Sequence, residues 1–213
     1  MSYYNYWQHK GHTYSECHWN ENIQNIYVPI PKNASTNIRA AIKNSDFQSI
    51  VFLDKMQQLK PQSTVVVLRD PIDRWISGIT TYLNLYVIKK NNVLNFLKEI
   101  KKDKNFLDLL FEKITFDDHT EKQIYFLQPF DKSQCTFFYI DDKIEFRLTQ
   151  FYLGEGLKIS FDKNHMNHRK NDPVHEFFTT FLFDAYNHNY MEKLKEHFRE
   201  DYNLISQTKF YGI

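Results

Sequence analysis

The stretch Thr64-Val65-Val66-Val67-Leu68 constrains the fold more than any other part of the chain. Four of its five residues are β-branched and apolar positions follow one another without alternation, so a strand built from it is apolar on both faces. Such a strand needs cover on both sides, as in the middle of a parallel sheet flanked by helices. Two more short apolar runs, Ile26-Tyr27-Val28 and Thr136-Phe137-Phe138-Tyr139-Ile140, read as its neighbours. Segments with helical spacing lie between them, and that alternation predicts an α/β fold with a central, mainly parallel sheet.

At 213 residues the chain has the length of one domain, and a single domain is expected over 1–213, with 1–24 as an irregular arm. Aromatic residues make up 17% of the chain and the net charge is +1, which excludes disorder and any general affinity for nucleic acid or an anionic membrane surface. Any anion site must therefore be a local cluster of basic groups. Two cysteines, Cys17 and Cys135, make no disulfide framework. His9, His12, Cys17 and His18 match no zinc spacing, so no metal is expected. The polar, aromatic N-terminus does not read as a signal peptide, and no apolar run approaches the ~20 residues that span a bilayer. A soluble, cytoplasmic protein is the expectation.

Two strand ends carry the chemistry. The first apolar run passes through Pro29-Ile30-Pro31 into Lys32-Asn33-Ala34-Ser35-Thr36, and a helix through Ile38, Ala41 and Ile42 follows. A strand, tight loop and helix start leave backbone N–H groups facing one way, and this is an anion site to which Lys32 adds a full charge. Ser35 and Thr36 supply hydroxyl donors or a helix cap. The loop is not the G-x-x-x-x-G-K-[ST] nucleotide loop, because it has no glycine and its lysine precedes the small residues. The second strand end is Arg69-Asp70-Pro71-Ile72-Asp73-Arg74-Trp75-Ile76-Ser77. Asp70 and Pro71 suit a helix start, and Ile72, Trp75, Ile76 and Ile79 form one apolar stripe behind it. Arg69 falls at the carboxyl end of its strand, where open α/β sheets bind ligands.

Further along, 92–113 reads as helix with Leu94, Phe96, Leu97, Ile100, Phe106, Leu109 and Leu110 as its apolar set, and 143–153 and 173–205 also read as helical. A polar, basic loop occupies 164–172.

Together, Pro31-Lys32-Asn33-Ala34-Ser35-Thr36 and Arg69-Asp70-Pro71-x-x-Arg74-x-x-Ser77 resemble the two cofactor loops of sulfotransferases that use 3′-phosphoadenosine 5′-phosphosulfate (PAPS). The likeness is to the carbohydrate branch, which includes the chondroitin- and heparan-type enzymes. Weaker likenesses follow in Asp118-His119-x-x-x-Gln123, in Phe138 to Glu145, in the loop His165-Met166-Asn167-His168-Arg169-Lys170 and in Glu200-Asp201-Tyr202. The resemblance covers about 25–205 and implies a P-loop-NTPase-like sulfotransferase fold. It implies that Lys32, Asn33, Ala34, Ser35 and Thr36 hold the 5′-phosphosulfate, and that Arg69 and Ser77 hold the 3′-phosphate. Arg169 and Lys170 would close over the cofactor.

The heparan-type enzymes place a catalytic histidine or glutamate between the two loops. Here 37–68 contain neither, and Asp46 and Asp54 are the only carboxylates. The base expected to take the acceptor's hydroxyl proton is His119, oriented by Asp118, with His165 and His168 next and Asp54 after them. The implied reaction moves a sulfuryl group to a hydroxyl, on a sugar for this branch, without a metal. Two other readings remain open: a nucleotide-dependent kinase or hydrolase with an atypical phosphate loop, and a nucleotide-binding module without catalysis.

Overall fold

The computed structural model describes residues 16–51, 59, 61–88, 92–162 and 172–213. Asp54, His165, His168, Arg169 and Lys170 lie outside them, as do His9 and His12. The described residues fall into two compact units. One is drawn from Thr13–Asp70, Gln123–Asn167 and Asn203–Ile213, the other from Pro71–Lys122 and His168–Tyr202.

The first unit holds a five-stranded sheet. Its strands are β1 (Glu16–Asn20), β2 (Asn25–Val28), β3 (Gln48–Val51), β4 (Ser63–Leu68) and β5 (Cys135–Tyr139), in the order β3-β1-β2-β4-β5. β2, β4 and β5 run parallel, with Val28 opposite Val66 and Leu68 opposite Tyr139. β1 pairs antiparallel with both β2 and β3, so the sheet is mixed rather than mainly parallel. The cause is local. Asn20 Oδ1 accepts from the N–H groups of Asn22 (3.0 Å) and Ile23 (3.3 Å), which turns the chain back within four residues. A connection that short can join only antiparallel strands. Residues 16–20, expected within an irregular arm, are thus a strand with a buried Cys17.

The valine run is buried on both faces, as its lack of alternation requires. Val65 and Val67 pack with Tyr27 and Phe138 against Ile38 and Ile42 of α1 (Ser35–Ile42) and Leu148 and Phe151 of the helix Ile144–Gly154. Val66 and Leu68 face the other way, with Ile26, Val28 and Phe137, onto Phe126, Leu127 and Phe130 and onto Leu204 and Ile205. Each fully buried side chain of this size contributes about 1.5–3 kcal/mol.

The second unit is helical. It contains α2 (Pro71–Tyr82), α3 (Val93–Ile100), α4 (Lys104–Lys113), α6 (Pro173–Phe183) and α7 (His188–His197), and the helix Ile144–Gly154 of the sheet unit is α5. The final helix, α8 (Arg199–Gln207), begins here and ends in the sheet unit. The α2 stripe Ile72, Trp75, Ile76 and Ile79 is buried among Phe111, Val174, Phe178 and Leu194, and Trp75 Nε1 donates to the Ile114 carbonyl at 2.9 Å. The helix expected over 92–113 is two helices. Asp103 breaks it by capping α4, its side chain accepting from the Phe106 N–H at 3.1 Å. That break resets the helical phase. Leu94 and Leu109, expected in the core, are 67% and 43% exposed, whereas Leu107 and Phe111 are buried. Residues 173–205 likewise divide, into α6, α7 and α8. Among the described residues no helix is long and apolar enough to cross a membrane.

Candidate functional site

Parallel pairing of β2 and β4 puts their carboxyl ends at the same edge of the sheet, and the two sequence-selected loops meet there. An Arg69 guanidinium nitrogen donates to the Lys32 carbonyl at 3.3 Å. Asn33 Nδ2 donates to the Val67 carbonyl at 2.8 Å and to Gln123 Oε1 at 2.6 Å. Gln123 Oε1 also accepts from the Arg69 N–H at 3.0 Å, and its Nε2 donates to the Arg69 carbonyl at 2.9 Å. Gln123 and Asn33 are buried, whereas Lys32 and Arg69 are half-buried. The amides thus form the floor, and the two cations stand at the rim.

The backbone of the first loop is unusual. Lys32 (φ 68°) and Ala34 (φ 56°) both adopt the left-handed conformation without being glycine, at a cost of about 1–2 kcal/mol each. Left-handed residues among right-handed ones turn successive N–H groups into a concave anion cradle. Ala34 is the residue before α1 and has no side-chain cap to offer, and the first α1 turn carries no acidic residue. The first intrahelical bond runs from the Ile38 N–H to the Ala34 carbonyl (3.0 Å), so the N–H groups of Ser35, Thr36 and Asn37 have no acceptor within the helix. Ser35 is buried and Thr36 exposed at this same end.

These features fit a phosphate or sulfate group held by helix-start amides, Lys32 and Arg69. Asn33 takes a different part from the one its motif implies. Its N–H is used within the loop, to the Ile30 carbonyl at 3.2 Å, and its side chain ties the loop to β4. Asn33 Oδ1 is buried with no hydrogen-bond partner among the described residues. It is an acceptor, so an ionised phosphate, which offers only acceptors, does not satisfy it.

The helical unit holds the other sequence-selected residues. Ser77 is a buried residue of α2, and its carbonyl accepts from Thr81 Oγ1 at 3.0 Å. His119 lies in a tight turn. Its Nδ1 is 2.8 Å from Asp117 Oδ2, and its N–H donates to Asp117 Oδ1 at 3.0 Å. The carboxylate that orients the ring is therefore Asp117, not Asp118. Two residues of spacing let Asp117 bond both the backbone and the ring of His119, as an Asx turn does. A carboxylate only accepts, so Nδ1 carries the proton and Nε2 of the neutral ring is left with its lone pair. The His119 side chain is 32% exposed and Asp117 7%. A buried orienter beside a reachable ring can serve proton transfer.

Three further contacts hold this turn. Thr120 Oγ1 accepts from the N–H groups of Phe116 (2.7 Å) and Asp117 (3.1 Å). Arg74, 1% exposed, donates to the carbonyls of Asp118 (3.1 Å) and Glu121. Lys122 pairs with Glu200 at 2.8 Å. Arg74 thus organises the His119 turn through backbone carbonyls, a use that its motif position does not reveal. The roles of Gln123 and Asp117 were equally hidden. The only sequence signals were the Asp-x-His spacing and the glutamine four residues beyond His119.

Among the described residues no group of three or more His, Cys, Asp or Glu is placed to hold a metal ion. No family model, curated protein or solved structure matches the chain.

Proposed function

We propose that this protein is a sulfotransferase that uses PAPS as donor and a hydroxyl group, on a carbohydrate, as acceptor. The observation that carries the reading is the bond from Arg69 to the Lys32 carbonyl: two loops chosen by motif, 37 positions apart in sequence, adjoin at one sheet edge. The fold in this reading is the P-loop-NTPase-like sulfotransferase fold, and the enzyme is soluble and cytoplasmic.

The donor supplies a sulfuryl group that passes from a phosphate to an acceptor oxygen, roughly in line, with charge growing on the leaving phosphate. Lys32 stabilises that charge, and the N–H groups of Ser35 to Asn37 hold the non-bridging oxygens. Arg69 presents a planar fork to a phosphate. His119 takes the acceptor's proton on Nε2, with Asp117 stabilising the imidazolium.

Binding tests the first half. The protein should show a thermal shift with 3′-phosphoadenosine 5′-phosphate, and Arg69→Ala should weaken that affinity roughly 10- to 100-fold, the value of one or two charge-assisted hydrogen bonds. No shift with the bisphosphate, alongside a shift with ATP and magnesium, would move the assignment to a kinase or hydrolase. Binding without transfer of labelled sulfate to any hydroxyl acceptor would leave a nucleotide-binding module.

Kinetics tests the second half. His119→Ala should lower kcat by about 10²–10⁴-fold, the usual span of general-base catalysis. Asp117→Asn should also lower kcat, because an amide can present a donor to Nδ1 and reverse the tautomer. Donor affinity should be unchanged in both. Full activity in His119→Ala removes it as the base.

A further inference from the structure

We infer that Gln123 is a positioning residue that locks the two phosphate-binding loops into one unit, so that Lys32 and Arg69 bind their anion cooperatively. The inference rests on the sulfotransferase reading and deepens it. Gln123 opens a short 3₁₀ turn, Gln123–Leu127, and is fully buried. Its single amide bonds both loops. Oε1 takes the Asn33 side chain of the first loop and the Arg69 N–H of the second, and Nε2 closes a second bond to the Arg69 peptide.

Only a side chain with an acceptor and a donor side by side, at this length, satisfies all three contacts. Methionine fills a similar volume and makes none of them. Asparagine keeps the chemistry but is one methylene too short. A glutamate would turn an oxygen towards the Arg69 carbonyl. Loss of the amide still leaves Asn33 its bond to the Val67 carbonyl, and Phe126 and Leu127 still pack on the sheet. The strand core therefore persists. What is lost is the tie between the left-handed Lys32–Ala34 loop and the Arg69 peptide, and with it the direction in which Arg69 reaches Lys32. Gln123 acts through these residues and is not assigned a contact with the donor.

The test is a double-mutant cycle read by calorimetric titration of 3′-phosphoadenosine 5′-phosphate into wild type, Gln123→Met, Arg69→Ala and the double variant. Gln123→Met should bind at least about tenfold more weakly, the value of lost hydrogen bonds to a preorganised loop. In the Arg69→Ala background the same change should cost much less. Gln123→Asn serves where the methionine variant does not fold, with the same expectation. A merely structural role would lower the fraction of competent protein, seen as stoichiometry, and leave the dissociation constant alone. Unchanged affinity in the variants, or fully additive losses, overturns the inference and leaves the sulfotransferase reading standing. Wild-type protein that does not bind the bisphosphate overturns both.

Discussion

Lys32→Ala is expected to reduce transfer of labelled sulfate from PAPS by at least about 10²–10³-fold, the scale on which one preorganised donor to a developing anion acts. The argument starts from the backbone. Lys32 sits in a left-handed conformation that an L-residue adopts only at a cost, and its carbonyl is held by Arg69. Lys32 is half-buried at the rim, and Asn33 beneath it makes the bonds that tie the loop to β4 and Gln123. Affinity for 3′-phosphoadenosine 5′-phosphate should fall less than kcat, because the ammonium is most valuable when the leaving oxygen gains charge. Lys32→Arg should not restore the rate, since a planar fork is not a point charge. Retained transfer in Lys32→Ala would falsify the assignment of the loop.

The largest effect on stability is expected from Gly78→Ala. Gly78 lies inside α2, where alanine is the better helix former by about 1 kcal/mol. An added Cβ would stand 2.1 Å from the His119 carbonyl oxygen and 2.7 Å from its carbon. Both are backbone atoms, so no side chain can turn aside. The turn from Asp117 to Thr120 would have to move away from the helix, against the bond that Arg74 of that helix donates to the Asp118 carbonyl. Overpacking of this kind costs about 1–3 kcal/mol and sometimes more. For a chain of this size that is a fall in melting temperature of roughly 2–12 °C. Displacing the turn also disturbs the Asp117–His119 pair, so activity should fall more than the folded fraction. A melting temperature at or above wild type would show that the helix and the turn do not touch at Gly78.

How much of this was legible depends on the range of the interaction. The valine run announced a doubly covered strand because burial on both faces removes alternation, a property that each residue carries by itself. Likewise the α2 stripe was readable from spacing alone. The β1–β2 hairpin was not, since Glu16–Asn20 has no clean alternation and its turn depends on one asparagine side chain folding back on two amides. The split of 92–113 was missed for a related reason. Asp103 sits in a run of lysines that reads as a solvated face, and its capping bond to Phe106 becomes visible only in three dimensions.

For the candidate site, the sequence by itself determined which groups are present: a lysine in a strand-to-helix loop, an arginine at a second strand end, and a histidine among aspartates. It could do so because each is a local pattern of charge and helix start. Tertiary structure alone decided that Lys32 and Arg69 adjoin, that Gln123 joins their loops, and that Asp117 rather than Asp118 holds His119. Parallel pairing of β2 with β4 brings distant strand ends to one edge, and the direction of a buried amide or carboxylate is set by the partners that satisfy it.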